Sequence, residues 1–142
     1  MESIPSVLAQ LKGEFASLPD GFARYSYLTE LSALLPRTPE VRQDRHLYRG
    51  CQSKVWLRVS VENGLCHLEA DSDTLIIRGI LALFRELLEG RPVPEVREAR
   101  FDLLGELNLS EHFSSTRTAG VEGLLPEIQR QLTGPACPLS DR

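Results

Sequence analysis

An α+β domain, with helices packed on a small antiparallel sheet, is predicted by three features of this 142-residue sequence. Residues 54–72 alternate apolar and polar side chains around Asn63-Gly64, the pattern of a β-hairpin. Residues 74–89 are apolar on nearly every side, the pattern of a buried helix. Residues 3–35 and 116–132 repeat apolar side chains at helical spacing.

Taken in order, Leu8, Leu11 and Phe15 mark a first helix over residues 3–17, with Ser3 or Ser6 to cap its start. Leu18-Pro19-Asp20-Gly21 breaks it. Tyr25, Leu28, Leu31 and Leu35 form one stripe of a second helix over residues 22–35, ended by Pro36. Residues 36–50, PRTPEVRQDRHLYRG, carry two prolines, four arginines and no periodicity. They are expected to form a long, mobile loop, a kind that often carries function. Val55, Leu57, Val59 and Val61 then alternate with Lys54, Trp56, Arg58 and Ser60, up to Asn63-Gly64, the favoured type I′ hairpin turn. That turn pairs Glu62 with Leu65. It sets Val61 opposite Cys66, Val59 opposite Leu68 and Leu57 opposite Ala70 on one apolar face. Ser60 meets His67, Arg58 meets Glu69 and Trp56 meets Asp71 on the other.

Two strands alone are marginal, so a third is expected from the residues just before Gly50. Asp71-Ser72-Asp73 offers N-caps to the helix at 74–89, in which Gly79 would permit close packing on the hairpin. Gly90 and Pro92 stop that helix. A Pro-rich link, RPVPEV, leads to a short helical piece at 101–107. Ser114-Ser115-Thr116 caps a last helix at 116–132, kinked at Pro126. Residues 1–132 read as a single domain and residues 133–142 as a loose tail.

Composition narrows the function. A net charge of −4 argues against non-specific nucleic-acid binding. All basic residues except Lys12 and Lys54 are arginines, which reads as coding bias. Cys51, Cys66 and Cys137 are odd in number and form no CxxC, against a disulfide scaffold or a zinc site. Met1-Glu2-Ser3-Ile4-Pro5 does not read as a secretory leader and no apolar run reaches membrane length, so a reducing cytoplasm is the expected setting. P-loop, GxGxxG and HExxH motifs are absent.

Cys66 is expected in the core beside Val61, and Cys137 falls in the tail. Cys51 stands apart, at a loop–strand junction after Gly50 and between Arg49 and Lys54. Nearby cations favour thiolate, the nucleophilic form. The competing reading is that Cys51 merely starts the strand, pointing inward with Val55. The local residues leave both open. His46, His67 and His112 are each candidate bases for a Cys-His hydrolase, with no motif behind any of them.

The stretch Gly50-Cys51-Gln52-Ser53-Lys54-Val55-Trp56 closely resembles the GCQSxVW signature of the SufE family of sulfur acceptors, to which the CsdE proteins belong. Asp71-Ser72-Asp73 with the following Arg78-Gly79 resembles the second block of that family. Residues 109–121, LSEHFSSTRTAGV, resemble the third. The resemblance covers roughly residues 8–132. It implies a SufE/IscU-like fold and a sulfur carrier in which Cys51 takes persulfide sulfur from a pyridoxal-phosphate (PLP) cysteine desulfurase of SufS or CsdA type. It implies stimulation of that desulfurase and delivery of sulfur to a SufBCD-type scaffold for iron–sulfur cluster assembly. PLP belongs to the partner, and no cofactor or metal is expected here. Arg49, Gly50, Gln52, Lys54, Asp73 and Arg117 are the supporting or partner-binding residues it implies. Arg117 would hold the Cys51 loop or favour the thiolate, and Asp73 would first cap a helix.

Two positions depart from the family pattern. Ala119 replaces a usual polar amide near Arg117, and Pro126 interrupts the last helix. Cluster assembly on this chain is rejected, because Cys51 lacks suitably spaced cysteine partners. The alternative function is a single-cysteine hydrolase or a peroxide-reactive thiol protein. No independent turnover is expected of a carrier.

Overall fold

The structure, a computed structural model, describes residues 2–133. Helix α1 (Ile4–Ala16) begins where Ser3 accepts a hydrogen bond from the Ser6 N–H. It buries Leu8, Leu11 and Phe15. Helix α2 (Gly21–Leu31) is capped by Asp20 and stops earlier than its apolar stripe, with Ser32–Leu34 tightening into a 3-10 turn.

The hairpin has the expected register. Strands β2 (Val55–Glu62) and β3 (Leu65–Ser72) pair Glu62 with Leu65, Val61 with Cys66, Leu57 with Ala70 and Trp56 with Asp71. Asn63 and Gly64 adopt φ of 57° and 78°, the left-handed pair that a type I′ turn requires. The third strand is present. Strand β1 (Leu47–Tyr48) pairs antiparallel with β2, Leu47 against Trp56 and Tyr48 against Val55, giving the sheet order β1-β2-β3.

Helices α3 (Leu75–Leu88), α4 (Val93–Glu98), α5 (Leu103–Glu106), α6 (Ser115–Glu122) and α7 (Leu124–Thr133) complete the described chain. The core lies between one sheet face, through Val55, Leu57, Cys66, Leu68 and Ala70, and the helices, through Ile77, Ile80, Phe84 and Ile128.

Five local expectations are corrected. Residues 36–50 are not unstructured: Pro39–Val41 and Asp44–His46 form 3-10 turns. Val41 is fully buried, and the Arg42 guanidinium lies 4.7 Å from the Trp56 ring centre and donates to Asp71 at 2.8 Å. Gly79 packs on α2 and not on the hairpin, since a Cβ there would sit 2.0 Å from the Leu28 carbonyl oxygen. The α3 N-cap is Thr74, with no side-chain cap bond, because Asp71 and Ser72 are taken up in β3. The Pro-rich link is helical, as α4, since proline is tolerated in a first helical turn. The last helix divides into α6 and α7 at Gly123, and Pro126 falls in the first turn of α7, where its missing N–H costs little. The tail reading and Cys137 lie outside the described residues, apart from Thr133, which ends α7.

Candidate functional site

Strands β1 and β2 form a hairpin, and Cys51 sits in its connecting loop, residues 49–54. The junction reading is adjusted accordingly: regular strand begins at Val55, and Cys51 lies in a bend before it. Its side chain is half-buried against the core, beside α6.

Both ends of the loop are tied down. On the C-terminal side, Asp73 Oδ1 accepts from the Lys54 N–H at 3.2 Å, and the Ser72 hydroxyl donates to the Lys54 carbonyl at 2.6 Å. The Asp73 N–H donates to the same carbonyl at 3.3 Å. Asp73 is therefore a loop anchor and not the helix cap that sequence reasoning expected. On the N-terminal side, the Tyr48 hydroxyl donates to the Gly120 carbonyl on α6 at 2.8 Å.

Helix α6 supplies the wall behind the thiol. Ser114 caps it by accepting from the Arg117 N–H. Arg117 and Gly120, three residues apart, share one helix face. A Cβ on Gly120 would lie 2.7 Å from Cys51 Sγ and 2.8 Å from the Gly50 carbonyl oxygen, so glycine is what lets thiol and helix meet.

The electrostatics of the thiol differ from what its sequence neighbours suggest. Burial pushes the Cys51 pKa up, and the opposing charge is that of Arg117, not of its sequence neighbours Arg49 and Lys54. Arg49 and Lys54 are exposed or nearly so, as are Gln52 and Asp73. Among the described residues, the Arg117 guanidinium has no hydrogen-bond or ion-pair partner. In the seat shown, Cys51 is held towards the neutral thiol. Burial drives the fully enclosed Cys66 thiol further, up to about 12.

A shallow cavity of about 180 Å3 opens beside Cys51, lined by Leu47, Tyr48, Arg49, Gln52, Ser53 and Lys54. It contains no histidine. His67 is bound to Glu89 at 2.8 Å on the far side of the sheet, and the His112 ring packs on Gly21. His46 is held towards neutrality by burial and by Arg58 and Arg45. A cleft of about 310 Å3 lies elsewhere, between Leu35–Thr38 and the His67–Arg85–Glu89 group, and holds no cysteine.

The structure thus brings Gly50, Cys51 and Arg117 together, with Asp73 at the base of the loop, and leaves Arg49, Gln52 and Lys54 on its outer rim. Sequence reasoning missed Tyr48, Gly120 and Gly123. The glycines could have been found from their spacing: Gly120 and the C-cap Gly123 follow Arg117 at intervals of three, on the same side of the helix. Nothing local marks Tyr48, whose partner lies 72 residues away.

A small α+β protein that presents one part-sheltered thiol on a hairpin loop, faced by an arginine with no other partner among the described residues, is the class defined by this fold and site. The chain belongs to the SufE family: residues 9–132 match the family described as "SufE: Fe-S metabolism associated domain". It is 34% identical to an uncharacterised SufE-like protein of Rhizobium meliloti, over 89% of this chain and 95% of that one. It is 33% identical to the sulfur acceptor protein CsdE of Escherichia coli, over 83% of this chain and 82% of that one. Among solved structures, it is similar to the solution structure of a hypothetical protein from Thermus thermophilus. That likeness has a TM-score of 0.71 and 29% identity, and covers 88% of this chain and 92% of the other.

Proposed function

We propose that this protein is a sulfur acceptor and carrier, loaded at Cys51 by a PLP-dependent cysteine desulfurase of SufS or CsdA type. The observation that carries the reading is Cys51 itself: a half-buried thiol on a hairpin loop, opposite an arginine with no other charge partner among the described residues, in a chain of the SufE family. The likeness to a protein named as a sulfur acceptor supports it.

The transfer is an exchange at sulfur. The Cys51 thiolate attacks the outer sulfur of the desulfurase persulfide. The S–S bond of that persulfide breaks, and the desulfurase cysteine leaves as thiolate. Cys51 becomes Cys51-S-SH, the outer sulfur keeping its proton. The sulfane sulfur moves without net oxidation or reduction, so no redox co-reactant is needed.

The chain's own residues prepare this step. The seat disfavours thiolate, which keeps the idle cysteine unreactive. When the loop leaves the seat, burial is relieved and the sulfur becomes accessible; because burial outweighs Arg117 in the seat, the thiolate gains even as Arg117 recedes. Asp73 and the Ser72 hydroxyl hold Lys54 while the tip moves. Arg49, Gln52 and Lys54 form the rim that meets the partner, and Gly50 gives the tip its freedom. PLP stays with the desulfurase. The recipient is a SufBCD-type iron–sulfur scaffold, and the setting is a reducing cytoplasm, which suits the free thiols of Cys51 and Cys66. The hydrolase alternative is disfavoured, because no histidine lines the Cys51 cavity to act as base.

Intact-mass spectrometry tests the reading. Mixed with a SufS- or CsdA-type desulfurase and L-cysteine, the protein gains the mass of about one sulfur atom, reversed by a thiol reductant. The gain maps to Cys51 and is absent in Cys51→Ser. A folded, reduced sample that gains nothing from either desulfurase refutes the proposal.

A further inference from the structure

We propose that Tyr48 is a positioning residue: its hydroxyl holds Cys51 in the sheltered seat, and its release frees the thiol to react. The purpose of such a seat rests on the sulfur-acceptor reading, while its geometry stands apart from that reading.

Tyr48 is the last residue of β1, opposite Val55 and immediately before the Cys51 loop. Its ring is partly buried against the core, and its hydroxyl reaches across to the Gly120 carbonyl at 2.8 Å. Three glycines make room for this arrangement. A Cβ on Gly50 would lie 2.2 Å from the phenol oxygen, and so would a Cβ on Gly123. A Cβ on Gly120 would strike Cys51 Sγ at 2.7 Å. One glycine in the loop and two at α6 therefore converge on the phenol and the thiol together.

The bond is also suited to breaking. Gly120 lies in the last four residues of α6, whose carbonyls have no partner within the helix. Water can take the place of Tyr48 there once the loop moves, so release strands no buried acceptor. The phenol remains a donor throughout the neutral range, since burial, with the Cys51 and Glu127 charges behind it, pushes its pKa up to about 12. Tyr48 thus ties the entry of the loop to the helix that bears Arg117, and Cys51 is seated between the two.

Tyr48→Phe removes the hydroxyl and keeps the ring. The full-length protein alone is treated with iodoacetamide under native conditions, and each cysteine is followed by peptide mapping. Loss of one neutral hydrogen bond predicts a rise in the Cys51 alkylation rate of about two- to tenfold. Cys66, fully buried in the core, reports global opening and should keep its rate. The pH profile of Cys51 alkylation should also move to lower pH, because a released thiol leaves the buried environment that raises its pKa. A purely packing role for Tyr48 would not move that profile. An unchanged Cys51 rate, or Cys51 and Cys66 rising together, overturns the proposal. Sulfur loading of the wild-type chain by a desulfurase is a separate measurement, so failure of the acceptor reading leaves this test standing.

Discussion

Cys51 and Arg117 form an uneven pair. A cation in the first turn of α6 faces the positive end of the helix dipole, an unfavourable position for it. Its counterpart is the thiolate of Cys51, on which its field acts in the opposite direction to burial. Arg117→Ala should therefore leave burial unopposed and raise the Cys51 pKa further. At pH 7.5 and low salt, alkylation of Cys51 should slow by about two- to fivefold, with Arg117→Lys retaining most of the rate. The loss should shrink in about 0.5 M salt, as screening requires. A rate that does not change, or a loss indifferent to salt, would remove Arg117 from the electrostatics of the site. At this scale the sequence named Cys51 because Gly50-Cys51-Gln52-Ser53 before Val55-Trp56 is a local pattern. The neighbouring cations, Arg49 and Lys54, point to the wrong source of charge, because nearness along the chain measures neither distance nor burial; Arg117 is named only through the family resemblance. Tyr48 stayed hidden because its role depends on a helix 72 residues further on.

The elements that were legible are those whose pairing is settled locally. Asn63-Gly64 dictates one hairpin register, and the apolar face then fixes which residues turn inward. The loop at 36–50 looks irregular in the sequence because nothing in it is periodic. Its order comes from tertiary contacts, chiefly buried Val41 and the grip of Arg42 on Trp56 and Asp71. Gly79 is a similar case: a glycine in a buried helix signals close approach, but not the partner. That partner is α2, whose Leu28 carbonyl oxygen would lie 2.0 Å from an added Cβ. Alanine is better than glycine by about 1 kcal/mol as a helix former, yet backbone on the facing helix cannot rotate away as a side chain can. Gly79→Ala should thus destabilise the fold by about 1–3 kcal/mol in urea unfolding. A neutral or stabilising result would contradict the α2–α3 contact.

Across the whole molecule, one buried carboxylate joins the loop, the sheet and the long helix. Asp71 on β3 receives the Arg42 side chain from the loop at 2.8 Å and the Arg78 guanidinium from α3. Arg78 in turn donates to the Ser32 and Leu35 carbonyls beyond α2, at 3.2 and 3.0 Å. The hairpin register placed Asp71 opposite Trp56, but its burial follows only from the loop that covers that face. Burial alone would raise the Asp71 pKa; Arg42, the Ser72 N–H and the Arg78 charge outweigh it and hold the carboxyl below its ordinary value of 3.8. The sign of the pH dependence follows. A carboxylate depressed in the folded state contributes stability that is complete above its unfolded pKa and is lost as pH falls through the folded pKa. Asp71→Asn removes this charge and leaves Arg78, 4% exposed, without its counter-ion. At pH 7 the cost should be about 3–5 kcal/mol, the range for breaking a buried pair. Denaturant unfolding of both proteins from pH 7 to pH 2 should show a constant gap down to about pH 5, then a narrowing one as Asp71 of the wild type protonates. Subtracting one curve from the other cancels Glu127, whose pKa is also lowered, by Arg130 and Gln131. A gap that stays flat to pH 2, or widens on acidification, would mean that the loop, sheet and helix are not held together through this charge.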